Sequence, residues 1–267
     1  IATDEADEAK DGVLVVLDRT PFYAEMGGQV ADHGYLVSGD AKLKVTQVKK
    51  TPKGYFVHTC ELLDGTIHVD DEVTASVDEK RRAAICRNHT ATHLLQKALR
   101  EVLGEHVHQA GSYQDDQITH FDFTHFSAVS PAELAEVERR VNEKIYEALP
   151  VTVKNLPIEE AKKMGAMALF GEKYGEVVRT VRFGDSIELC GGTHASATGN
   201  IGYFRILSES AISAGVRRIE AVTGAKAEEF VYVMQDTLQG IQQLVNTPSV
   251  MQAVRKMFED IFYYCSK

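Results

Sequence analysis

Two pairs of potential metal ligands constrain the fold of this chain most strongly. His89 and His93 lie four positions apart in an apolar run, and Cys190 and His194 follow much later, on either side of Gly191-Gly192-Thr193. On a helix, residues i and i+4 share a face and their Cβ atoms lie about 5–6 Å apart, so both imidazoles can reach one ion. If the second pair binds the same ion, the chain must fold back to bring that turn against the helix.

The chemistry of these four side chains favours zinc. Three imidazoles and one thiolate suit a tetrahedral zinc ion. Four protein ligands are typical of a structural site, whereas a catalytic site keeps one position for water. The number of candidates does not decide between the two, because one of them could be displaced or could lie behind another ligand. The pattern therefore predicts a zinc site whose purpose stays open.

Two neighbouring features favour a catalytic purpose. Gly191 and Gly192 lack side chains, which lets a ligand or substrate approach the backbone closely. Thr90 and Thr92 place hydroxyl groups on the helix of the first ligand pair, although hydrogen bonds within the helix would also explain them. A zinc protease is excluded, because its helix motif requires Glu directly after the first His, where this chain has Thr90.

Composition excludes several other classes of protein. The chain has 267 residues, 44% of them hydrophobic and 25% charged, as in a globular protein with a sizeable core. Its net charge of −10 argues against a protein that coats nucleic acid through bulk electrostatics. No long apolar run exists, so no membrane span is expected. The few, scattered cysteines favour a reducing compartment, and we expect a cytoplasmic protein.

Basic residues nevertheless form three groups. Lys80, Arg81, Arg82 and Arg87 precede the helical ligand pair, a run of lysines occupies residues 42–53, and Arg217-Arg218 form the third group. Such groups are more often solvated surfaces than binding sites. Because one of them adjoins the predicted metal site, contact with phosphate is worth considering.

The pattern of the chain predicts an α+β fold in three parts. Residues 1–77 are expected to form a small β-barrel, because five short β-branched or aromatic runs alternate with turns, at 13–17, 34–37, 43–48, 55–59 and 72–77. Residues 78–224 are expected to pack helices on a mostly antiparallel sheet. Residues 225–267 are expected to form a helical tail, interrupted at 246–248. Gly27-Gly28-Gln29 matches neither phosphate-loop pattern and predicts a tight turn between strands.

Local signals set the boundaries within residues 78–224. Asp78 is a candidate N-cap for a helix that runs to about Leu103 and stops at Gly104. A hairpin is predicted at 107–113 and 118–123. Ser130-Pro131-Ala132-Glu133 predicts a capping box for a second helix that ends near 149–150. The remaining predictions are strands at 151–155, 177–183, 187–189, 202–207 and 218–222, and a short helix at 157–164.

Four strings, in this order, resemble the editing region of alanyl-tRNA synthetases. They are LDRTPFYAE at residues 17–25 with Gly27-Gly28-Gln29, RNHTATHLL at residues 87–95, CGGTH at residues 190–194 and SAGVRRIEAV at residues 213–222. The resemblance covers roughly residues 13–224. It implies that residues 78–224 form a zinc-containing editing domain.

The resemblance also implies roles for individual residues. The metal ligands would be His89, His93, Cys190 and His194. The candidate catalytic residues are Gln109, Thr92 and Cys190. Contacts with the substrate and tRNA are expected from a larger set, which consists of Gly27, Gly28, Gln29, Arg87, Gln109, Gly191, Gly192 and Arg217. Gln109 matches a family position that lines the editing pocket, and Gly27-Gly28-Gln29 matches a glycine-rich motif that faces it.

The chain departs from a complete synthetase. An aminoacylation domain would precede residue 1 and a further RNA-binding domain would follow the tail. The acidic start without an initiator Met is expected of a piece cut from a longer chain. Alanine activation and tRNA charging are therefore not expected of this chain.

The implied activity is hydrolysis of the ester that joins serine or glycine to the alanine tRNA, with Zn²⁺ as cofactor. Two mechanisms stay open. Zinc could activate the attacking water, or it could orient the substrate while a water held by other groups attacks. The second is preferred, because no Asp or Glu stands beside the first ligand pair to act as base. The rival hypotheses are a free-standing editing protein of the same superfamily and a zinc-stabilised RNA-binding module without catalysis.

Overall fold

Twelve strands and five α-helices make up the part of the chain that this computed structural model describes, residues 12–166, 175–246 and 249–265. The sheets are antiparallel and mixed with helices, so the predicted α+β class is confirmed. The chain divides into two compact units, Ile1–Gly224 and Ala225–Lys267.

The strands in chain order are β1 (Val13–Val16), β2 (Gly34–Ser38), β3 (Ala41–Lys50), β4 (Phe56–Asp64), β5 (Thr74–Val77), β6 (Gln109–Gln114), β7 (Thr119–Thr124), β8 (Val151–Pro157), β9 (Val177–Phe183), β10 (Ser186–Leu189), β11 (Phe204–Ser213) and β12 (Val216–Thr223). The helices are α1 (Glu79–Leu103), α2 (Pro131–Tyr146), α3 (Ile158–Lys163), α4 (Ala225–Val245) and α5 (Val250–Cys265), with one 3-10 turn at Thr198–Ile201.

The first five strands form one antiparallel sheet in the order β1-β4-β3-β2-β5. Apolar side chains alternate with exposed ones along β2 and β3, so one face of the sheet is buried. Leu36, Leu43 and Val45 are fully buried there and pack with Phe22 and Ala24 from the segment after β1. All five predicted strands are present.

The predicted barrel is wrong in one respect, because this sheet is open. Within the described residues, β1 pairs with β4 alone and β5 pairs with β2 alone, and each of these edge strands has four residues. A barrel requires the first and last strands to pair along a ladder. The alternation of apolar residues reports only which face of a strand is buried, so it cannot distinguish a closed sheet from an open one.

Helix α1 carries the first ligand pair through the centre of the larger core. The Asp78 carboxylate accepts a hydrogen bond from the Arg81 N–H at 3.0 Å, and Gly104 ends the helix with a φ of 115°. Both predicted ends are therefore confirmed. The buried face of α1 packs with α2 and with the sheet β11-β12-β7-β6, through residues that include Leu95, Leu99 and Phe121.

The second helix and the third sheet complete this unit. Ser130 and Glu133 form both hydrogen bonds of the predicted capping box at the start of α2. The helix ends at Tyr146, slightly before the predicted 149–150, and Ala148 takes a left-handed φ of 49° that breaks helical geometry. Strands β8, β9 and β10 form a three-stranded antiparallel sheet in the order β10-β9-β8.

The second unit consists of the predicted helical tail. It contains α4 and α5. Of the predicted interruption at 246–248, residues 247–248 lie outside the described residues. Among the described helices, none is both long enough and apolar enough to cross a membrane.

Candidate metal centre

The four predicted ligands converge at one point. Helix α1 presents His89 and His93, Cys190 directly follows β10, and His194 lies in the turn after it. Their potential ligand atoms all lie within 4.8 Å of one another. The chain thus folds back as the spacing requires and brings both pairs together.

Each of the three histidines has an oxygen atom beside its Nδ1 nitrogen. The Nδ1 atom of His89 lies 2.7 Å from an amide oxygen, that of His93 lies 2.5 Å from a carboxylate oxygen, and that of His194 lies 3.4 Å from a hydroxyl. The partners are Gln29, Glu188 and Thr90, respectively. Oxygen partners on Nδ1 leave Nε2 as the free nitrogen, which is the usual arrangement of metal-binding histidines.

The Nε2 atoms face the thiol. Those of His89 and His194 each lie 3.3 Å from Cys190 Sγ. The Nε2 atom of His93 is buried and has no hydrogen-bond partner within the described residues. A buried polar atom without a partner is costly, and a metal ion would satisfy it. Three imidazole nitrogens and one sulfur are a donor set that fits zinc.

Electrostatics at the cluster favour the thiolate form of Cys190, the protonated form of His93 and the neutral form of His194. Burial alone would raise the pKa of the Cys190 thiol, but the neighbouring His93 charge and the hydrogen bonds from His194 and His89 lower it to about 2. Burial would likewise lower the pKa of His93, but the Glu188 carboxylate and the Cys190 thiolate raise it to about 10. Burial lowers the pKa of His194 to about 3, so this ring is neutral.

Zinc binding at neutral pH is expected to release one proton, from His93. The Cys190 thiolate needs no deprotonation, whereas the His93 ring must lose its Nε2 proton before that nitrogen can bind. The apparent zinc affinity should therefore rise with pH up to about 10, where His93 loses its proton. Calorimetric titration in two buffers of different ionisation enthalpy measures the proton count. Release of no proton, with a pH-independent affinity, would contradict this charge distribution.

Gly192 makes room for the His89 ring. A Cβ at this position would lie 1.9 Å from His89 Cε1 and 2.8 Å from Gln29 Oε1, whereas a Cβ at Gly191 would meet only Met26 Cε, at 2.8 Å. Gly192 is buried and Gly191 is exposed. Close approach at Gly192 therefore serves the His89 ring, and Gly191 is the more accessible of the two to other molecules.

The predicted tight turn at Gly27-Gly28 is confirmed. Both glycines have positive φ, 61° and 84°, and Met26 and Gln29 exchange backbone hydrogen bonds across the turn. A Cβ at Gly28 would lie 2.2 Å from the Ser112 carbonyl oxygen. The turn is thus pressed against β6 on one side and reaches His89 through Gln29 on the other.

Two of the candidate catalytic residues, Gln109 and Thr92, form hydrogen bonds within the protein. The Gln109 amide donates a hydrogen bond to Ser112 Oγ at 3.1 Å, beside the Gly28 turn. The Thr92 hydroxyl donates to the Asn88 carbonyl oxygen and lies 2.9 Å from Thr119 Oγ1 on β7. Thr92 is therefore buried at the contact between α1 and β7, as the simpler interpretation of a helix threonine predicts.

Four arginines of the predicted basic groups form ion pairs with carboxylates of the same chain. Arg81 pairs with Asp116, Arg82 pairs with Asp32, and Arg217 pairs with Glu209 across the β11–β12 hairpin. Arg218 pairs with Asp122 across the neighbouring strands β12 and β7. In contrast, Arg87 packs beside Gly224, and its buried Nε has no hydrogen-bond partner within the described residues.

Sequence reasoning missed Glu188 as a partner of the site. This residue lies in β10 between Ile187 and Leu189, it is buried, and its carboxylate bonds to His93. A charged residue inside a short apolar strand, two positions before a candidate cysteine ligand, is a signal that could have identified it. Thr90 also has a role at the turn, because its hydroxyl accepts a hydrogen bond from the Ala195 N–H at 3.0 Å.

Comparison with known proteins identifies the relatives of this chain. The family model of class II (A) tRNA synthetases matches residues 2–81, and that of the threonyl and alanyl tRNA synthetase second additional domain matches residues 178–220. The alanine–tRNA ligase of Acetivibrio thermocellus is 54% identical over 245 residues, which cover 91% of this chain and 28% of that protein. That of Pelotomaculum thermopropionicum is 50% identical over 254 residues, which cover 95% of this chain and 29% of that protein.

A third relative agrees with these two. The alanine–tRNA ligase of Bacillus subtilis is 53% identical over 224 residues, which cover 83% of this chain and 26% of that protein. The chain spans less than a third of the length of each of these relatives. Both pairs of candidate ligands lie in the first compact unit, Ile1–Gly224. By these sequence matches the chain belongs to the alanine–tRNA ligase family.

Proposed function

We propose that this chain edits mischarged tRNA, hydrolysing the ester that joins serine or glycine to the alanine tRNA. The observation that carries the proposal is the convergence of three imidazoles and one thiolate, in a chain whose relatives are alanine–tRNA ligases. An enzyme that attaches alanine to tRNA must distinguish alanine from amino acids of similar size. A pocket for alanine cannot strongly exclude smaller glycine, and it rejects an added hydroxyl by only about 10²-fold in a comparable case. A second, hydrolytic site corrects these errors.

The four converging side chains would hold zinc. Bound zinc supplies a Lewis acid, which polarises an ester carbonyl or lowers the pKa of a water molecule. The chain's own contribution is orientation, because Gln29 and Glu188 hold the His89 and His93 rings with Nε2 toward the cluster. Glu188 is buried and bonded to His93, so it acts as a partner of that ring rather than as a free base. This arrangement favours the mechanism in which the site positions and polarises the substrate.

The remaining candidates would form the pocket and its approaches. Gln109 is partly buried on β6, next to the Gly27-Gly28 turn, and it would offer a hydrogen bond to the serine hydroxyl. Gly191 is exposed beside the ligand turn and would allow close approach of the substrate. For contact with tRNA phosphate, Arg87 is the best candidate, because Arg217 is already paired with Glu209. Thr92 would contribute only by exchanging one of its internal hydrogen bonds.

One alternative function has a specific observation in its favour. Four protein ligands around one point are typical of a closed, structural zinc site. The chain would then be a zinc-stabilised RNA-binding module without catalysis. Its distinguishing property is loss of the fold on removal of zinc, because the metal would contribute folding free energy. A free-standing editing protein would share the chemistry proposed above, but the identity of about half of all residues to alanine–tRNA ligases favours a synthetase part.

The test is a deacylation assay. The chain is incubated with seryl-, glycyl- and alanyl-tRNA, with and without a zinc chelator, and circular dichroism follows the fold in parallel. We expect hydrolysis of the seryl and glycyl esters, little hydrolysis of the alanyl ester, and loss of activity on chelation with the fold retained. Hydrolysis of the alanyl ester as fast as the seryl ester would overturn the editing assignment. Binding of tRNA without hydrolysis, and unfolding on chelation, would favour the structural module.

A further inference from the structure

Gln29 joins the two halves of the metal centre. Its side chain is fully buried, and its Oε1 accepts hydrogen bonds from His89 Nδ1 at 2.7 Å and from the Thr193 N–H at 2.8 Å. Its Nε2 donates to Thr193 Oγ1 at 2.8 Å. One carboxamide therefore contacts a ligand on α1 and the residue next to His194 in the ligand turn. The two ligand pairs are distant in sequence, and this third segment bridges them.

The segment that supplies Gln29 is anchored elsewhere. Ala24 and Ala31, which flank the Gly27-Gly28 turn, belong to the buried core of the N-terminal sheet. The backbone around Gln29 also pairs with Gln114 at the end of β6. The absence of a side chain at Gly192 is what admits the carboxamide, because a Cβ there would lie 2.8 Å from Gln29 Oε1. The packing of this segment in the core of the N-terminal sheet thus determines where the Gln29 carboxamide meets His89.

We propose that Gln29 is a positioning residue of the metal centre, which couples metal affinity to the docking of the N-terminal sheet. By accepting from Nδ1, its carbonyl oxygen selects the His89 tautomer whose Nε2 is free to bind the metal. By bonding Thr193, it also holds the Cys190–His194 turn at the distance that a shared ion needs. This inference rests on the proposed zinc centre. Because coupling between binding events is reciprocal, zinc must in turn stabilise the docked position of residues 22–31.

Gln114 offers a matched control for Gln29. Both are fully buried glutamines, and they are partners in the same backbone bridge. The side-chain amide of Gln114, however, has no hydrogen-bond partner within the described residues. Replacing either glutamine with leucine removes one buried side-chain amide, so the two changes are chemically the same. Only the replacement at Gln29 removes hydrogen bonds to His89 and to Thr193 in the ligand turn.

The experiment is a zinc titration of the full chain against a competing chromophoric chelator. We expect Gln29→Leu to lower zinc affinity by about 10–100-fold, as loss of a partner behind a ligand does. Gln114→Leu should stay within about threefold of the parent chain. Gln29→Glu should recover most of the loss, because its carboxylate still accepts from His89 and from the Thr193 N–H. Circular dichroism checks that each variant is folded, and Gln29→Asn replaces Gln29→Leu if the latter does not fold.

Hydrogen exchange gives an independent readout of the coupling. Zinc should slow amide exchange in residues 22–31 of the parent chain and should slow it much less in Gln29→Leu. Equal zinc affinity of Gln29→Leu and the parent, or equal losses in Gln29→Leu and Gln114→Leu, would overturn the inference. Both measurements are made without tRNA. Failure of deacylation alone would therefore count against the proposed function and leave the role of Gln29 standing.

Discussion

Replacing Cys190 with alanine is expected to abolish zinc binding and hydrolysis of seryl-tRNA together. The thiolate is the only sulfur donor in the cluster, and the Nε2 atoms of His89 and His194 both face it at 3.3 Å. Loss of a ligand should lower zinc affinity by more than the roughly 10–100-fold that loss of a partner behind a ligand costs. Chelator competition measures the affinity, and release of radiolabelled serine from seryl-tRNA measures the hydrolysis.

Cys60→Ala is the matched control for this prediction. Cys60 is a buried cysteine on β4, in the core of the N-terminal sheet, and it lies outside the cluster. Its replacement removes one small buried group and should leave zinc binding and hydrolysis near the parent level. If Cys190→Ala deacylated seryl-tRNA at the parent rate, the proposed site would be wrong.

A single methyl group at Gly192 is expected to have nearly as large an effect. In Gly192→Ala the new Cβ would lie 1.9 Å from His89 Cε1 and 2.3 Å from His89 Nδ1, distances that no real Cβ contact tolerates. Either the ring or the ligand turn must move, which breaks the hydrogen bond between His89 and Gln29 and displaces a ligand. We expect zinc affinity to fall at least about tenfold and the free energy of unfolding to fall by about 1–3 kcal/mol through overpacking.

Gly191→Ala provides the comparison for Gly192→Ala. The Cβ at Gly191 would meet only the terminal methyl of Met26, which can move aside. Zinc affinity and thermal stability should therefore stay close to those of the parent chain. Similar losses of zinc affinity in the two variants would show that the neighbouring glycines serve backbone conformation rather than space for His89. Zinc titration and thermal unfolding of both variants decide between these outcomes.

The elements of the fold were predictable where a short stretch of chain carries its own signal. Asp78 and Gly104 end α1 where expected, and Ser130 with Glu133 caps α2, because capping depends on residues within one helical turn. Closure of the first sheet was not predictable. It depends on whether β1 and β5, far apart in sequence, meet at an edge, and they do not.

The basic groups illustrate the same limit in the candidate site. Their clustering suggested free positive charge, but Arg82 and Arg217 are paired with Asp32 and Glu209. Nothing near Arg82 in the sequence indicates Asp32, which lies 50 positions away. A cluster of basic residues in the sequence shows only where positive charges are close along the chain. The electric field at the protein surface also depends on the acidic residues that folding brings next to them.

The choice of candidate metal ligands followed from the amino-acid sequence itself. Spacing placed His89 and His93 on one helical face, and donor chemistry added Cys190 and His194. Whether these side chains could act together depended on folding, because Nδ1 of His89 and Nδ1 of His93 are held by Gln29 and Glu188, which lie 60 and 95 positions away. A residue's ligand chemistry belongs to its side chain alone. Its orientation is set by hydrogen bonds from segments that only the folded chain brings into contact.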